Sequence, residues 1–191
     1  MIAYILPIVL IGLSQINAQS VGSCHTTPVL PDFDSSKYLG KWYELERFSF
    51  LFEKDLKCVT ATYTMLNETT IGVNNYGFNT VKNKDEYVYG SAYVKNSAEP
   101  NKLNVVLPVV VDGVTILENS ADYNVVATDY NNYALVYSCR QLVPLILKFE
   151  TSWILSRTKT LDSQTVQNLK NIASSYKIDV SKYEVVPQDC N

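Results

Sequence analysis

Short apolar or alternating runs, separated by clusters of Asn, Asp, Gly and Lys, fill residues 42–157. The clearest alternation is CVTATYTM, in which Val59, Ala61, Tyr63 and Met65 fall on one face and the threonines on the other. Successive side chains of a strand point to opposite faces, so one face is predicted to be buried and the other hydrated. Turn signals about every 8 to 15 residues are typical of an antiparallel meander.

Counting these runs predicts eight strands, at approximately residues 41–49, 58–66, 70–77, 86–95, 102–107, 123–128, 133–139 and 149–156. Eight antiparallel strands can close into an up-and-down barrel that holds one small ligand. Asp162 is predicted to cap a following α-helix, whose apolar stripe is Val166, Leu169, Ile172 and Ala173. KYEVVPQDC predicts a short ninth strand that Pro187 ends. The predicted fold class is therefore all-β, an eight-stranded barrel with one C-terminal helix packed on its wall.

The beginning of the chain predicts a secretory signal. Residues 1–18 carry no charge and end at Ala18, and their apolar run is interrupted by Pro7 and Gly12. A cleaved signal peptide fits this better than an uncleaved anchor, which needs about 20 apolar residues. The remaining residues 19–191 are enough for one domain with a core. We therefore predict a secreted, extracellular protein.

Two further features fit an extracellular chain. The mature part holds four cysteines, and an even number in a secreted protein predicts two disulfides; they are Cys24, Cys58, Cys139 and Cys190. Their spacing alone leaves three pairings open. The triplet that begins at Asn67 is a glycosylation acceptor in the secretory pathway.

Residues for catalysis are scarce. The only histidine, His25, lies beside Cys24 on an N-terminal arm, where we predict it to be solvated. A serine triad or a zinc site needs a histidine in a cleft, and the chain has no phosphate-binding glycine loop. Glu44 and Glu46 would share a face of the first strand, but the sequence shows no partner that would activate them. We predict neither an enzyme nor a metal site, and the net charge of -3 in mixed runs argues against a nucleic-acid partner.

A resemblance to a known family rests on three places in the chain. The residues that carry it are Gly40, Trp42, Thr128, Asp129, Tyr130 and Arg157. Together they resemble the three conserved regions of the lipocalins. The stretches YLGKWYELE, ATDYNNYALVYSC, WILSR and LKNI are similar to lipocalins of the apolipoprotein D and Lazarillo type, over roughly residues 24–190.

The resemblance implies several features of this chain. Trp42 is expected to pack under Arg157 and to seal the barrel floor. Cys24 is expected to pair with Cys139, and Cys58 with Cys190. Lipocalins of this type are linked to fatty acids and steroids, and neighbouring insect lipocalins to biliverdin.

Alternation along the predicted strands, with Trp42 and Arg157 at the floor, predicts the cavity wall. The expected ligand-binding residues are Val59, Ala61, Tyr63, Val73, Asn75, Ala92, Leu103, Val105 and Trp153. Asn75 is the most useful polar group among them, and no lysine or arginine is expected deep inside. Such an interior suits a hydrophobic ligand with one or two polar ends, such as a fatty acid, sterol, carotenoid or bilin.

Barrel topology places four loops at the mouth, and three of them carry bulky apolar residues. These loops are SFLFEKDL, PVVVDGVTILENSA and QLVPLIL, and the predicted rim residues are Phe50, Phe52, Val110, Leu145 and Ile146. Three apolar loops at one end predict an entrance that contacts a membrane or a lipoprotein particle. A lid packed inward over the cavity is the alternative.

The predicted function is a carrier of a small hydrophobic ligand that requires no cofactor, with lipid or biliverdin as the expected occupants. A pigment protein holding biliverdin or a carotenoid is the first alternative. A lipocalin enzyme would need a free cysteine in the cavity or an exposed methionine, and Met65 is predicted to point inward. A receptor-binding scaffold is the remaining alternative.

Overall fold

A computed structural model describes residues 19–49, 53–111 and 114–190. The predicted signal segment, 1–18, lies outside them. The ten strands are β1 (Gln19–Val21), β2 (Gly40–Phe48), β3 (Leu56–Met65), β4 (Ile71–Asn79), β5 (Lys84–Val94), β6 (Lys102–Val111), β7 (Val114–Thr128), β8 (Tyr133–Val143), β9 (Leu147–Ser156) and β10 (Tyr183–Val185). The helices are α1 (Ser35–Tyr38) and α2 (Ser163–Ser175), and a 3₁₀ turn covers Val180–Lys182.

The eight strands from β2 to β9 form a closed antiparallel barrel. Each pairs with the next along the chain, and β9 pairs back onto β2, where Tyr43 lies opposite Ser156 and Arg47 opposite Trp153. The predicted fold class is confirmed. Two short strands flank the closure, β10 on β2 and β1 on β9. The sequence missed β1, because three residues are too few to show alternation. No helix in the described part of the chain is long and apolar enough to cross a membrane.

The β6–β7 hairpin differs from its prediction. The loop expected over residues 108–121 is mostly strand, with Pro108 opposite Glu118 and Val110 opposite Thr115. Consecutive β-branched residues flank an Asp-Gly pair at 112–113 of the sequence, and that pair favours a hairpin turn. Pro108 is tolerated because the pairing of β5 with β6 ends at Val106, so β6 has only β7 as a partner beyond that point.

The loop predicted over LVPLIL is also shorter than expected. The strand β8 continues to Val143 and β9 begins at Leu147, which leaves a tight turn between them. Backbone hydrogen bonds close this turn, from Ile146 N to Val143 O at 3.1 Å and from Gly22 N to Ile146 O at 3.0 Å.

The helix α2 lies on the outer wall of the barrel, as predicted. The Asp162 side chain accepts a hydrogen bond from Thr165 N at 2.9 Å and caps its first turn. Leu169 and Ala173 are buried in an outer core with Phe48 and Ile154. Inside the barrel a second core surrounds Trp42, so apolar side chains are buried on both faces of this part of the sheet.

Two disulfides join the pairs that the family resemblance implied. Cys24 bonds to Cys139 and Cys58 to Cys190, and no cysteine of the described residues is free. The first ties the N-terminal arm to β8 and the second ties the C-terminal segment to β3. A thiol-dependent reaction therefore has no nucleophile in this part of the chain.

A buried ionic network holds the N-terminal arm and β10 against the outside of β9. Its centre is Glu150, which is 2% exposed. The carboxylate accepts hydrogen bonds at 2.7 to 2.8 Å from Lys148, Lys182, Tyr137 and Ser20. Burial raises the pKa of Glu150, but these donors outweigh it and hold the pKa at about 2.

His25 belongs to the same network, so the prediction of a solvated histidine is wrong. Its Nε2 lies 2.8 Å from Lys148 Nζ, and the ring is half-buried. Burial, reinforced by the Lys148 charge, lowers the pKa of His25. The N-terminal arm packs on the barrel here, which brings the imidazole next to β9.

Candidate functional site

A cavity of about 330 Å³ extends from the level of Leu155 to the open end of the barrel at Leu142. Its apolar lining consists of Val59, Ala61, Tyr63, Val73, Val105, Leu107, Ala121, Tyr123, Leu142, Phe149, Trp153 and Leu155. The polar lining consists of Glu44, Glu53, Thr60, Asn75, Asn119, Ser120, Asp122, Ser138, Arg140 and Thr151. Pockets for small molecules start near 300 Å³, so this space suits one compact or slender ligand.

Seven of the nine predicted wall residues line this cavity. They are Val59, Ala61, Tyr63, Val73, Asn75, Val105 and Trp153. Ala92 and Leu103 lie lower, around a small void beside Tyr38 and Ile71. The geometry brings the nine residues into one barrel interior, and their contact with a ligand stays a prediction.

Met65 lies outside the cavity, contrary to its prediction. It shares the inward parity of Ala61 and Tyr63, but it pairs with Ile71 at the end of β3. Tyr63 already lies opposite Gly40 at the floor, so Met65 extends beyond the closed end and is 42% exposed. Alternation gives the face of a strand and not the height at which the barrel closes.

The floor is sealed by Trp42 and Arg157, as the resemblance implied. The Arg157 guanidinium carbon lies 3.7 Å from the centre of the Trp42 ring, and Trp42 is fully buried. Arg157 also donates hydrogen bonds to Tyr130 O at 2.8 Å and Lys41 O at 3.0 Å. Gly40 has a φ of 91°, and a Cβ there would approach the guanidinium to 3.3 Å, which explains a glycine at this position.

The corner between β7 and β8 supports that floor. Asp129 Oδ1 accepts hydrogen bonds from the backbone of Asn132 at 2.8 Å and Tyr133 at 3.0 Å. Thr128 Oγ1 accepts from Tyr130 N at 2.9 Å. These contacts place the Tyr130 carbonyl under the arginine, so the motif residues have a structural role.

Three tyrosine hydroxyls meet between the cavity and the floor. The Tyr123 hydroxyl lies 2.9 Å from that of Tyr63 and 3.0 Å from that of Tyr38. Burial raises the pKa of all three, so they are neutral donors and acceptors at physiological pH. Tyr63 and Tyr123 line the cavity and offer its deep end a hydrogen-bonding group.

A β-bulge in β2 overturns the prediction that Glu44 and Glu46 share a face. Glu44 lies opposite Leu155, but Glu46 lies opposite Ile154, so Leu45 is an extra residue. Glu44 therefore points into the barrel. Glu46 points outward, where its carboxylate lies 2.7 Å from Lys170 of α2.

The bulge also turns Arg47 inward, although no arginine was expected there. Arg47 is 5% exposed and donates a 2.8 Å hydrogen bond to the Glu44 carboxylate, and its Nε lies 4.0 Å from the Glu53 carboxylate. Further hydrogen bonds join Arg47 to the carbonyls of Glu53 and Leu56. Nothing in the residue pattern marks the bulge, so strict alternation could not have found this cluster.

In the Glu44–Arg47–Glu53 cluster, burial opposes the ionisation of both carboxyl groups. Burial and the nearby Glu53 raise the pKa of Glu44 to about 8, against the opposite effect of Arg47. Burial also raises the pKa of Glu53, against the opposite effects of the Arg47 charge and of the Trp153 hydrogen bond. The cluster can exchange hydrogen bonds with a polar group of a ligand.

An apolar surface surrounds the turn between β8 and β9. We call it the entrance tip, and its exposed residues are Leu142, Val143, Leu145, Ile146 and, from the neighbouring β1, Val21. Leu145 is 80% and Val21 84% exposed. The sequence missed Val21, because only the pairing of β1 with β9 brings it there. Of the other predicted rim residues, Phe50 and Phe52 lie outside the described residues, and Val110 is described only as backbone in β6.

One group of possible metal ligands occurs in the described part of the chain. It combines Asp189 with the sulfurs of Cys58 and Cys190. Those two sulfurs form a disulfide, so they are not thiolates that could bind a soft metal.

Comparison with known proteins identifies the family. The family model described as "Lipocalin-like domain" matches residues 33–188, which is most of the chain. This protein belongs to the lipocalin-like family. The lipocalin motif residues thus lie at the barrel floor as expected: Gly40 and Trp42 on one side and their partner Arg157 on the other.

Relatives of this lipocalin include apolipoprotein D of Macaca fascicularis, which is 38% identical over 94% of this chain and 90% of its own length. The Lazarillo protein of Schistocerca americana is 28% identical over 90% of this chain and 78% of its own. Among solved structures, insecticyanin of Manduca sexta superposes with a TM-score of 0.75 over 89% of this chain and 88% of that one. Its identity is 24%, so the likeness concerns the fold alone.

Proposed function

We propose that this lipocalin is a secreted, non-enzymatic carrier that takes up one small hydrophobic molecule, such as a fatty acid or a sterol. The observation that carries the proposal is the cavity, whose lining is mainly apolar and which opens at one end of the barrel. Burial of apolar ligand area, at about 25 cal/mol per Å², would supply most of the affinity. Two disulfides support an oxidising, extracellular compartment. Similarity to apolipoprotein D supports a lipid over other hydrophobic ligands.

Filling the cavity tests the proposal. Ala121 lines the cavity from β7, and its replacement by phenylalanine places a ring in the space that a ligand would occupy. We expect Ala121→Phe to weaken binding of the apolar fluorophore N-phenylnaphthylamine by at least about tenfold, because the buried ligand area shrinks. Fluorescence titration measures the change, and circular dichroism checks the fold.

Ala98→Phe is the matched control, because Ala98 lies on an exposed turn outside the barrel. Unchanged fluorophore affinity in Ala121→Phe would show that the cavity is not the binding site. Mass spectrometry of ligands extracted from the native protein would then identify the occupant. If the native protein shows the visible absorption band of bound biliverdin or of a carotenoid, the pigment alternative replaces the lipid proposal.

We further propose that the entrance tip contacts a phospholipid surface, in a membrane or a lipoprotein particle, so that the ligand enters without crossing water. Leu145 occupies a left-handed turn position, with φ 62°, and is almost fully exposed. Packing against the described residues does not account for such an apolar side chain. The tip borders the open end of the cavity, which Leu142 lines.

The double variant Leu145→Ser/Ile146→Ser tests the contact. Each apolar side chain contributes about 1.5–3 kcal/mol when fully buried. We therefore expect binding to phosphatidylcholine liposomes to fall at least about tenfold, with the affinity for N-phenylnaphthylamine unchanged. Flotation of the protein with liposomes measures the first quantity and fluorescence the second.

Val185→Ser is the control, because Val185 is 74% exposed on β10, away from the tip. Altered ligand affinity with unchanged liposome binding would favour an inward-packed lid instead. If the double variant changes neither liposome binding nor ligand affinity, both the membrane contact and the lid are refuted.

Asn67 remains the predicted glycosylation site. It lies in the exposed turn between β3 and β4, and its side chain accepts hydrogen bonds from the Thr69 backbone at 3.0 Å and hydroxyl at 3.2 Å. This turn is at the floor end, so a glycan there would leave the cavity mouth free. A mobility shift of the secreted protein after endoglycosidase treatment, abolished in Asn67→Gln, would test the assignment.

A further inference from the structure

The strands β2 and β3 separate within the barrel wall. Their ladder ends at Tyr43, which lies opposite Thr60, and beyond that point β2 pairs with β10 instead. We call the fork the place just past Tyr43 and Thr60 where the two strands part. Both strands are irregular there, because the register shifts at Leu45 in β2 and between Lys57 and Thr60 in β3. A fork leaves backbone groups of both strands without their usual ladder partners.

The fork lies in the wall of the ligand cavity. Glu44 follows the last paired residue of β2, Val59 precedes that of β3, and both residues line the cavity. The bulge at Leu45 also turns Arg47 towards the Glu44 carboxylate. The backbone geometry at the fork therefore decides where these cavity side chains stand.

The C-terminal segment, residues 186–190, closes the fork from the side of β10. The backbone N of the buried Val186 donates a 2.8 Å hydrogen bond to Leu45 O, at the extra residue of the bulge. On the other strand, Cys58 N donates to Pro187 O at 2.7 Å. The segment thus bonds to both strands where their own ladder has ended.

The side chain of Gln188 spans the fork. Its Nε2 donates to Glu44 O at 2.7 Å and to Val59 O at 3.0 Å. An amide nitrogen carries two hydrogens, one for each of these carbonyls. The disulfide between Cys58 and Cys190 then fixes the end of the segment to β3. One amide group thus joins β2 to β3 at the level of the cavity.

We propose that Gln188 is a positioning residue of the ligand cavity, which acts from the C-terminal segment by holding Glu44 and Val59 in place. The inference rests on the proposed carrier function and assigns part of the affinity to a residue outside the described cavity lining. A wall that already has its binding geometry loses less free energy when the ligand is bound. The C-terminal segment therefore serves binding as well as the fold.

Substitutions at Gln188 test the donor separately from the packing. Gln188→Met keeps the length of the side chain but donates no hydrogen bond, so binding of N-phenylnaphthylamine should weaken about threefold to tenfold. Gln188→Glu presents a negative charge to the two carbonyls near neutral pH and should weaken it further. Gln188→Lys restores donors and should bind within about twofold of the unmodified protein. A role in packing alone would not produce this order, because methionine fills the space better than lysine.

Gln167→Met is the matched control. The Gln167 side chain donates a 3.0 Å hydrogen bond to Asn171 Oδ1 on the exposed face of α2, so the variant loses a similar bond outside the barrel. Its affinity for the fluorophore should stay unchanged. Circular dichroism confirms that each variant is folded, and urea denaturation records its free energy of unfolding beside its affinity.

The outcomes separate this inference from the carrier function. If Gln188→Met and Gln188→Glu lose stability but keep the native affinity, the positioning role is overturned and the carrier proposal stands, because Ala121→Phe tests that proposal independently. Equal losses of affinity in Gln188→Lys and Gln188→Met would also overturn it, since the donor would then be irrelevant. An equal loss in Gln167→Met would show that the effect does not arise at the fork. If the unmodified protein does not bind the fluorophore, both the carrier function and the positioning role are refuted.

Discussion

Replacing Glu150 by glutamine is expected to lower the free energy of unfolding by about 3–5 kcal/mol, because it breaks a buried ionic network. Glu150 neutralises Lys148, which is 3% exposed, and Lys182. Glutamine keeps the shape but not the charge, so two lysines would face each other with no carboxylate between them. Ser20 of the N-terminal arm and Lys182 of the 3₁₀ turn before β10 both bond to this carboxylate. Urea denaturation near neutral pH measures the change.

The pH dependence of the same variant is a sharper measurement. The pKa of Glu150 falls from its ordinary 4.5 to about 2 on folding. Its ionisation therefore stabilises the protein by about 3 kcal/mol above the unfolded pKa, and this contribution is lost as the pH falls from 4.5 towards 2. Protonation of His25, whose pKa is lowered, adds to acid destabilisation in both proteins. Because Glu150 also raises the pKa of His25, part of the difference between the two stability curves comes from His25. The part that comes from Glu150 itself should disappear over this range.

Glu86→Gln is the matched control for Glu150→Gln. Glu86 pairs with Lys82 at 2.8 Å, but the lysine side chain is 60% exposed. Exposed pairs contribute about 0–1 kcal/mol, so this variant should unfold almost like the unmodified protein. Equal losses in the two variants would contradict the assignment of a special role to the buried network.

The second large effect is expected at the barrel floor. Replacing Trp42 by alanine should cost about 3–5 kcal/mol, because it removes a fully buried ring from a packed core. The indole also donates a 2.9 Å hydrogen bond to Tyr38 O, which would be left with only the longer 3.5 Å bond from Arg157. Chemical denaturation measures the loss. Trp153→Ala should cost less, because that ring borders the cavity and is only partly buried.

A double-mutant cycle separates the Trp42–Arg157 contact from the packing of each residue. With Trp42→Ala, Arg157→Ala and the double variant, we expect a coupling energy of about 1–2 kcal/mol, as for a desolvated cation-π pair. A coupling energy within about 0.5 kcal/mol of zero would show that tryptophan and arginine stabilise the floor independently.

How far the residue pattern predicts a barrel interior depends on the regularity of each strand. The pairing of β3 with β4 follows simple alternation at Ala61 and Asn75, which lie opposite each other and both line the cavity. In β2 the extra residue Leu45 exchanges the two faces, so Glu46 and Arg47 lie opposite to their predicted sides. Alternation carries no information about such an insertion. Both partner strands are needed to reveal it.

The chain by itself determined the eight-strand meander, the helix after Asp162 and most of the apolar wall, because these depend on local periodicity and capping. The tertiary structure alone decided the buried cluster at Arg47, the height of the floor, beyond which Met65 lies, and the placement of Val21 at the entrance tip. Each of these depends on strand register and barrel closure, which join residues far apart in the sequence and leave no local pattern.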